Sequence, residues 1–350
     1  MPYSHFVRFC TRRRLDRSGL ALAAALAATA IVGSPVVAEA QTKVRYVEVV
    51  RNLAYLPSYV AFAKGFLKEE GLEVSLSTAQ GGDKATAQIL SGHADITLLG
   101  PETAVYVQNS ASPDKLRIFC SLTAKDLFFL MSREKIAPAD FRWSMVKGKT
   151  IIGWRPGSTP QLFLEYALKK NRIEPGKDTN IITNIAIPAR GGAWLAGQGQ
   201  FGIFQEPNMT RLEQQGKAFP VASIGQATGP VDYTVFVATD RFIGKNPKII
   251  QAWTNSIHKA QKFTATADAA ELAGMVAKFF PSVSPELIEN GIKRYRAIDL
   301  WRTDPVVPRQ AVEALQDILI EGGVQKADQR VKYEDVVITR FAEQAKTAVK

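Results

Sequence analysis

The 350-residue chain is poor in cysteine and histidine, and this scarcity excludes several kinds of site. It has two cysteines, Cys10 and Cys120, and three histidines. Cys10 lies in a segment that we expect to be removed, so Cys120 is left alone and no intrachain disulfide can form. Only His93 and His258 follow that segment, so a histidine-based metal cluster would need carboxylates from elsewhere. We interpret His93 as part of a helix-to-strand turn and Cys120 as an inert, buried strand residue.

Sequence motifs of catalysis and of nucleotide binding are missing as well. The chain has no glycine-x-serine-x-glycine elbow, and its glycine turns match neither a phosphate loop nor a dinucleotide fingerprint. Basic residues are scattered, with nothing denser than Lys169-Lys170 followed by Arg172. A nucleic-acid binder would show a basic cluster with interleaved aromatic residues. The sequence therefore predicts no enzyme, no cofactor, no metal and no nucleic-acid partner.

The first forty residues have the pattern of a secretory signal peptide. Five arginines between Arg8 and Arg17 precede an apolar run from Leu20 to Val32, and Ala38-Glu39-Ala40 is a small-x-small cleavage site. The apolar run is too short for a comfortable membrane span. We expect export and cleavage after Ala40, through either the general secretory or the twin-arginine route. Because Cys10 precedes the apolar run, it is not placed like a lipoprotein cysteine, and we expect a free protein in a Gram-negative periplasm.

The formal charge of the chain is +11, of which residues 1–40 contribute +3 and the remainder +8. We interpret this excess as a solvated basic surface. The alternative is attraction of an anionic solute or of lipid headgroups.

What the chain does contain is a repeated alternation of strands and helices. Between Gly65 and Glu102, a strand at Val74 to Ser77 leads through Gly81-Gly82 into a helix, for which Asp83 is a candidate cap. Ser91-Gly92 ends that helix, and the buried strand Ala94 to Leu99 leads through Gly100-Pro101 into the next one. Two helix starts should thus lie at one sheet edge, where ligands bind in open α/β sheets.

A second α/β series starts at Gly148. Either Ser158 or Thr159 is predicted to cap its first helix, because Pro160 favours Thr159 and Gln161 would complete a capping box with Ser158. Strands are predicted at Ile181 to Ile187, Phe201 to Phe204, Val221 to Ile224 and Tyr233 to Ala238, and short helices start at Gly191 and at Glu206-Pro207. From Lys248 onward, apolar residues recur at helical spacing.

The runs KGFLKEEGLEV, G-G-D and SGHADI, followed by a helix-opening turn, resemble the periplasmic solute-binding proteins of nitrate/sulfonate/taurine-type ABC importers. That group includes binding proteins for thiamine-pyrimidine precursors. The resemblance extends from Val44 to Gly244 and implies a two-lobe type II periplasmic binding protein fold with two hinge crossings. The division it implies is residues 1–40 as signal peptide, 41–132 with 239–350 as lobe 1, and 133–238 as lobe 2.

The resemblance also implies a ligand cleft between the lobes, with pocket residues contributed by successive turns. This set consists of a first loop, two glycine turns, helix starts in both lobes and an acidic residue before proline. Tyr233 is added to it as a ring on which a solute could stack. The residues concerned are Leu53, Ala54, Tyr55, Gly81, Gly82, Pro101, Glu102, Thr103, Ser158, Thr159, Gly191, Gly192, Glu206 and Tyr233. Ser158 or Thr159 could instead merely cap a helix, and Glu206 could merely favour a helix start.

The chemistry of the ligand is left open between two classes. Glycine turns and helix starts, with Arg155 and Arg190, suit a sulfonate, nitrate or carboxylate. Glu102 and Glu206, if both point inward, favour an amine-bearing molecule such as a pyrimidine, on which Tyr55, Trp194 or Tyr233 could stack. We expect a monomer that delivers its solute to the permease and ATPase subunits of an importer. The alternatives are an enzyme related to thiamine-pyrimidine synthesis, which a lone cysteine disfavours, and a ligand-sensing protein for a receptor.

Overall fold

The structure is a computed structural model that describes residues 41–349, so the predicted signal segment and its cleavage site lie outside the described residues. Within this range the backbone forms ten strands and fifteen α-helices. The strands are β1 (Thr42–Glu48), β2 (Leu72–Thr78), β3 (Ile96–Leu99), β4 (Leu116–Thr123), β5 (Phe129–Ser132), β6 (Thr150–Ile152), β7 (Asn180–Ile182), β8 (Phe201–Phe204), β9 (Phe219–Ser223) and β10 (Thr234–Thr239). The helices are α1 (Leu56–Ala63), α2 (Phe66–Glu69), α3 (Gly82–Leu90), α4 (Glu102–Gln108), α5 (Thr159–Lys170), α6 (Arg190–Leu195), α7 (Asn208–Gln214), α8 (Ile224–Thr228), α9 (Asp240–Lys245), α10 (Pro247–Thr266), α11 (Ala269–Val276), α12 (Pro285–Ala297), α13 (Arg309–Glu321), α14 (Tyr333–Val336) and α15 (Arg340–Ala348).

The strands form two five-stranded sheets. In the first sheet the order is β2-β1-β3-β10-β4, and in the second it is β7-β6-β8-β5-β9. The two orders are equivalent, because each sheet has three parallel strands followed by one antiparallel strand that joins them to an outer strand. Parallel strands point their carboxyl ends at one edge of the sheet, so each lobe presents one edge with several helix starts.

The strand pairing moves both predicted crossings toward the N-terminus. β5, which the prediction assigned to lobe 1, pairs with β8 and β9 in the second sheet. β10, which was predicted to complete the second series, pairs with β3 and β4 in the first sheet. We therefore propose a first lobe of residues 41–123 and 234–349, a second lobe of residues 129–228, and two crossing segments between them.

The two crossing segments lie side by side and are tied to the first lobe. The backbone N–H of Tyr233 donates to the carbonyl of Thr123 at 3.2 Å. Arg302 donates to Asp232 with an Nη2–Oδ2 distance of 2.8 Å, and the hydroxyl of Ser121 donates to the same carboxylate. Burial raises the pKa of Asp232, and the Arg302 guanidinium opposes that rise. Both segments thus leave the first lobe at one place, as expected for a hinge.

The local signals of the sequence were right about the positions of most turns. Ser91 ends α3 and Gly92 adopts φ +77°, a left-handed conformation that favours glycine. The predicted cap at Asp83 is wrong: α3 already begins at Gly82, and Asp83 is exposed in its first turn and faces Arg155 instead. Ser158 occupies the cap position of α5, although its hydroxyl donates to the Arg155 carbonyl rather than accepting from the helix.

The predicted helical repeat after Lys248 is confirmed and encloses the first sheet. α10 places Trp253 against the ring of Tyr46 in β1, with ring centroids 4.9 Å apart, and against Phe236 in β10 at 5.5 Å. All three side chains are completely buried. None of the described helices is long and apolar enough to cross a membrane.

Candidate functional site

A large cleft, with a volume of about 990 Å³, lies between the two sheets where their helix starts face each other. The first lobe contributes the turns before α3 and α4. The second lobe contributes the turn before α5, the segment of residues 183–188 after β7, and Gln205 after β8. Each of these segments follows the carboxyl end of a strand. The cleft therefore lies where the topology of an open α/β sheet places ligand sites.

The wall formed by the first lobe combines exposed backbone with one carboxylate. Gly81 and Gly82 open α3, and a Cβ added to Gly82 would approach only the side chain of Arg155, at 3.9 Å. Glu102 is the first residue of α4 and is only 7% exposed. Its Oε2 has no hydrogen-bond partner among the described residues. A ligand in the cleft can thus reach backbone N–H groups at one point and an unsatisfied acceptor at another.

Burial raises the pKa of the Glu102 carboxyl. The side chain of Thr159 and the backbone N–H groups of Glu102 and Thr159 act in the opposite direction, with a smaller effect from Arg155. These groups face the carboxyl without completing a hydrogen bond to Oε2. A buried carboxylate in this state is costly unless a donor reaches it, so the site as it stands calls for one.

Aromatic side chains form the apolar part of the cleft. Tyr55 comes from the first lobe, Tyr233 and Phe128 from the crossing segments, and Trp154 from the turn after β6. The ring of Phe128 lies 5.0 Å from that of Trp154 and 6.1 Å from that of Tyr233. The guanidinium of Arg190 lies 4.0 Å from the Trp154 ring, and burial lowers the pKa of Arg190 to about 9. These rings offer flat contact area for the apolar part of a solute.

The two lobes contact each other across the opening of the cleft. The Tyr106 hydroxyl of α4 donates to the carbonyl of Gly157 in the second lobe at 3.0 Å. Arg155 and Asp83 approach to 3.8 Å, but their side chains are 53% and 60% exposed, so this pair contributes little to stability. The Tyr106 hydrogen bond thus joins the two lobes in this structure.

Eight of the fourteen predicted binding residues line the cleft. The first lobe and the crossing segments supply six, and the start of α5 supplies two. The eight are Tyr55, Gly81, Gly82, Glu102, Thr103, Ser158, Thr159 and Tyr233. Leu53, Ala54, Pro101, Gly191, Gly192 and Glu206 do not line it.

Most of these six residues have structural surroundings that explain their positions. Leu53 and Ala54 are buried in a 3-10 turn before α1, where the indole N–H of Trp301 donates to the Ala54 carbonyl at 2.7 Å. Pro101 is the cap residue of α4 and precedes the cleft-lining Glu102. Gly191 and Gly192 are exposed on α6.

Glu206 is wholly buried away from the cleft and already has donors of its own. It accepts hydrogen bonds from the backbone N–H of Thr210 at 3.0 Å and from the Thr210 hydroxyl at 2.8 Å. Arg294 lies 3.7 Å from it. This carboxyl therefore holds the start of α7. Of the other aromatic candidates, Trp194 is buried and donates its indole N–H to the Lys217 carbonyl.

The segment of residues 183–188 and two rings, Phe128 and Trp154, line the cleft although they were not predicted to do so. The predicted strand from Ile181 to Ile187 hid the segment, because β7 ends at Ile182 and the chain after it lines the cleft. Trp154 directly follows the turn after β6, so the rule that ligands meet the carboxyl ends of strands would have found it. Phe128 lies in a crossing segment, whose position the sequence did not reveal.

The described residues provide no evident metal site. No group of three or more histidine, cysteine, aspartate or glutamate side chains there could hold a metal ion. His93 is exposed and its Nδ1 lies 2.8 Å from the Ser91 hydroxyl, in the predicted turn. Cys120 is buried in β4, and burial raises the pKa of its thiol.

Two α/β sheets joined by two crossings around a cleft are the architecture of the periplasmic binding protein fold, and solved structures agree. The periplasmic nitrate-binding protein NrtA of Synechocystis PCC 6803 superposes with a TM-score of 0.70 at 15% identity, covering 89% of each chain. The chain thus has the periplasmic binding protein fold. Residues 52–270 match the family described as NMT1/THI5 like, and the protein belongs to that family.

Sequence relatives agree with this assignment. A Bacillus subtilis (strain 168) protein named as binding protein YtlA is 36% identical over 305 residues, which cover 87% of this chain and 90% of that protein. The taurine-binding periplasmic protein of Escherichia coli (strain K12) is 26% identical over 208 residues, covering 59% of this chain and 62% of that protein. These relatives are named as binding proteins, and the resemblance seen in the sequence is confirmed.

Proposed function

We propose that this protein is the periplasmic solute-binding component of an ABC importer. It captures a small polar organic solute, sulfonate- or taurine-like or pyrimidine-like, between its two lobes. The observation that carries the proposal is the cleft itself, in which helix starts of both lobes, five aromatic rings and the unsatisfied Glu102 carboxyl converge. Relatives named for taurine and nitrate binding support a transport role.

In this function the lobes close on the solute and exclude water from it. The Tyr106–Gly157 hydrogen bond favours the closed form, while the two adjacent crossing segments allow the lobes to separate. The closed protein then presents both lobes to the permease, and the ATPase drives release. We propose that it acts as a monomer, exported and cleaved after Ala40.

Mass spectrometry of the protein carried through gentle purification from a Gram-negative periplasm tests the proposal directly. The intact mass should be that of a chain beginning at Gln41, and a small organic solute should be released on denaturation. Small-angle scattering should then show compaction when that solute is returned to the stripped protein. A cytoplasmic full-length product would contradict export. Turnover of the solute, in place of compaction and thermal stabilisation, would contradict the binding function.

A transport role also predicts how a strain without this protein takes up the solute. Uptake of the identified solute should be lost when the gene is deleted and restored when it is supplied again. A deletion strain that still imports the solute normally would favour a ligand-sensing role for the same cleft.

A further inference from the structure

The start of α5 is a position suited to an anion, and the protein places its own carboxyl group there. α5 is twelve residues long, and its cap residue Ser158 directs its hydroxyl to the Arg155 carbonyl instead of to the helix. At this helix start the Thr159 N–H is the group left to attract an anion, because Pro160 has no N–H and the N–H groups of Gln161 and Leu162 donate to the Ser158 carbonyl. Its partial positive charge, like that of helix starts in general, favours an anionic group. The Thr159 backbone N–H faces the carboxyl of Glu102, which comes from the other lobe.

Gly100 lies beside both the Glu102 carboxyl and the Thr159 side chain. A Cβ added to Gly100 would overlap both Glu102 Oε2 and Thr159 Oγ1. The carboxylate oxygen and the hydroxyl therefore flank one point on the Gly100 backbone, and only glycine leaves room for both. A sulfonate or a nitrate at the α5 start would lie against the Glu102 carboxylate, and the two like charges would repel each other.

The carboxyl at this position still lacks a donor. Glu102 is 7% exposed and lines the cleft, and its Oε2 accepts no hydrogen bond from the described residues. The two basic side chains on the described cleft wall, Lys84 and Arg155, are exposed, and Arg155 faces Asp83. The inner part of the cleft therefore has an acceptor to offer and no basic side chain directly paired with it.

We propose that Glu102 acts as a specificity-determining residue that occupies the anion position at the start of α5. It rejects solutes that would place an anionic group there and selects solutes that direct an N–H donor at Oε2. This inference rests on the proposed function and narrows its ligand class to amines, amides or heterocycles with N–H groups. An anionic group elsewhere on the same solute is compatible with it.

The test compares methanesulfonate binding by three proteins stripped of solute. Glu102→Ala vacates the α5 start, whereas Asp83→Asn removes one negative charge from the exposed rim of the same cleft and serves as the matched control. Calorimetry should show at least tenfold tighter methanesulfonate binding by Glu102→Ala than by the parent and by Asp83→Asn. Equal affinities in all three proteins, or tight binding by the parent, would overturn the proposal.

A second variant keeps the comparison decisive if Glu102→Ala does not fold. Glu102→Gln has the same shape without the charge, and it should also gain methanesulfonate affinity while losing at least tenfold in affinity for the co-purified solute. A co-purified solute without any N–H donor would overturn this inference but leave the binding function intact. Absence of any bound solute, of compaction and of uptake would instead count against the proposed function.

Discussion

Removing the Tyr106 hydroxyl should weaken solute binding without weakening the fold. The hydroxyl donates to the Gly157 carbonyl at 3.0 Å and joins α4 of the first lobe to the turn before α5 of the second. Tyr106→Phe retains the ring and its packing and removes this one bond. Because the bond links the two lobes, separating them would break it, so its loss should destabilise the closed form relative to the open one.

The size of the effect follows from the energy of one neutral hydrogen bond. Such a bond contributes about 0.5–1.5 kcal/mol net, and about 1.4 kcal/mol corresponds to a tenfold change in affinity. Because closure is required for tight binding, Tyr106→Phe should weaken the affinity for the co-purified solute by about two- to tenfold. Most of the change should lie in the dissociation rate, because the bond forms after the solute has entered.

The chain supplies a matched control in Tyr333, whose hydroxyl donates to the Val307 carbonyl at 2.6 Å. Both of those residues belong to the first lobe, so Tyr333→Phe should lower the unfolding free energy and leave the affinity unchanged. Stopped-flow dissociation and denaturant unfolding of both variants separate the two effects. A Tyr106→Phe protein with the parent's dissociation rate, or equal losses of affinity in both variants, would contradict a role of this bond in closure.

Three further predictions concern stability. Gly100→Ala should cost about 1–3 kcal/mol in denaturant unfolding because its methyl group overlaps Glu102 and Thr159, whereas Gly244→Ala, with nothing within 4 Å, should be close to neutral. Arg302→Leu leaves the Asp232 carboxylate buried without its partner and should lower the unfolding free energy by about 1–3 kcal/mol, which is less than for a fully buried pair because Arg302 is 20% exposed. Adding Asp232→Asn should recover part of this loss, and no recovery would contradict the pairing. Burial raises the pKa values of five carboxyls, those of Glu48, Glu102, Asp126, Glu206 and Asp232, so the folded protein binds protons more tightly than the unfolded chain. The melting temperature should therefore increase as the pH falls from 8 to 5. A flat or opposite profile would contradict the burial of these carboxyls.

The sequence predicted the elements of the fold better than their partners. Phe201 to Phe204 was predicted to the residue, because four apolar residues between polar turns allow one interpretation. β10 was also recognised as a strand, but the residues of β10 and of β5 were both assigned to the wrong sheet. Their residues are buried on both faces, and an apolar strand of that kind carries no mark of the neighbour it pairs with.

The candidate site shows the same division between local and long-range information. Glu102 and Thr159 were assigned to the cleft by resemblance, and each also lies at a predicted helix start, a local property. Their juxtaposition across the lobes depends on contacts between residues far apart in the chain, which no spacing reveals. Glu206 was assigned to the cleft by resemblance, yet the hydrogen bonds from Thr210, four residues further on, satisfy it locally.

The position of β10 has a consequence for the order in which the two sheets can be completed during synthesis. The second sheet has all its strands once Ser223 has emerged, whereas the first sheet needs β10, which ends at Thr239. Until then β4 has no strand partner in its sheet, and β3 has a free edge on the side that β10 will cover. Such edges are sites of wrong pairing in a nascent chain. The inserted second lobe can therefore be the first part to reach its final structure, and the lobe that contains β1 is the last to be closed.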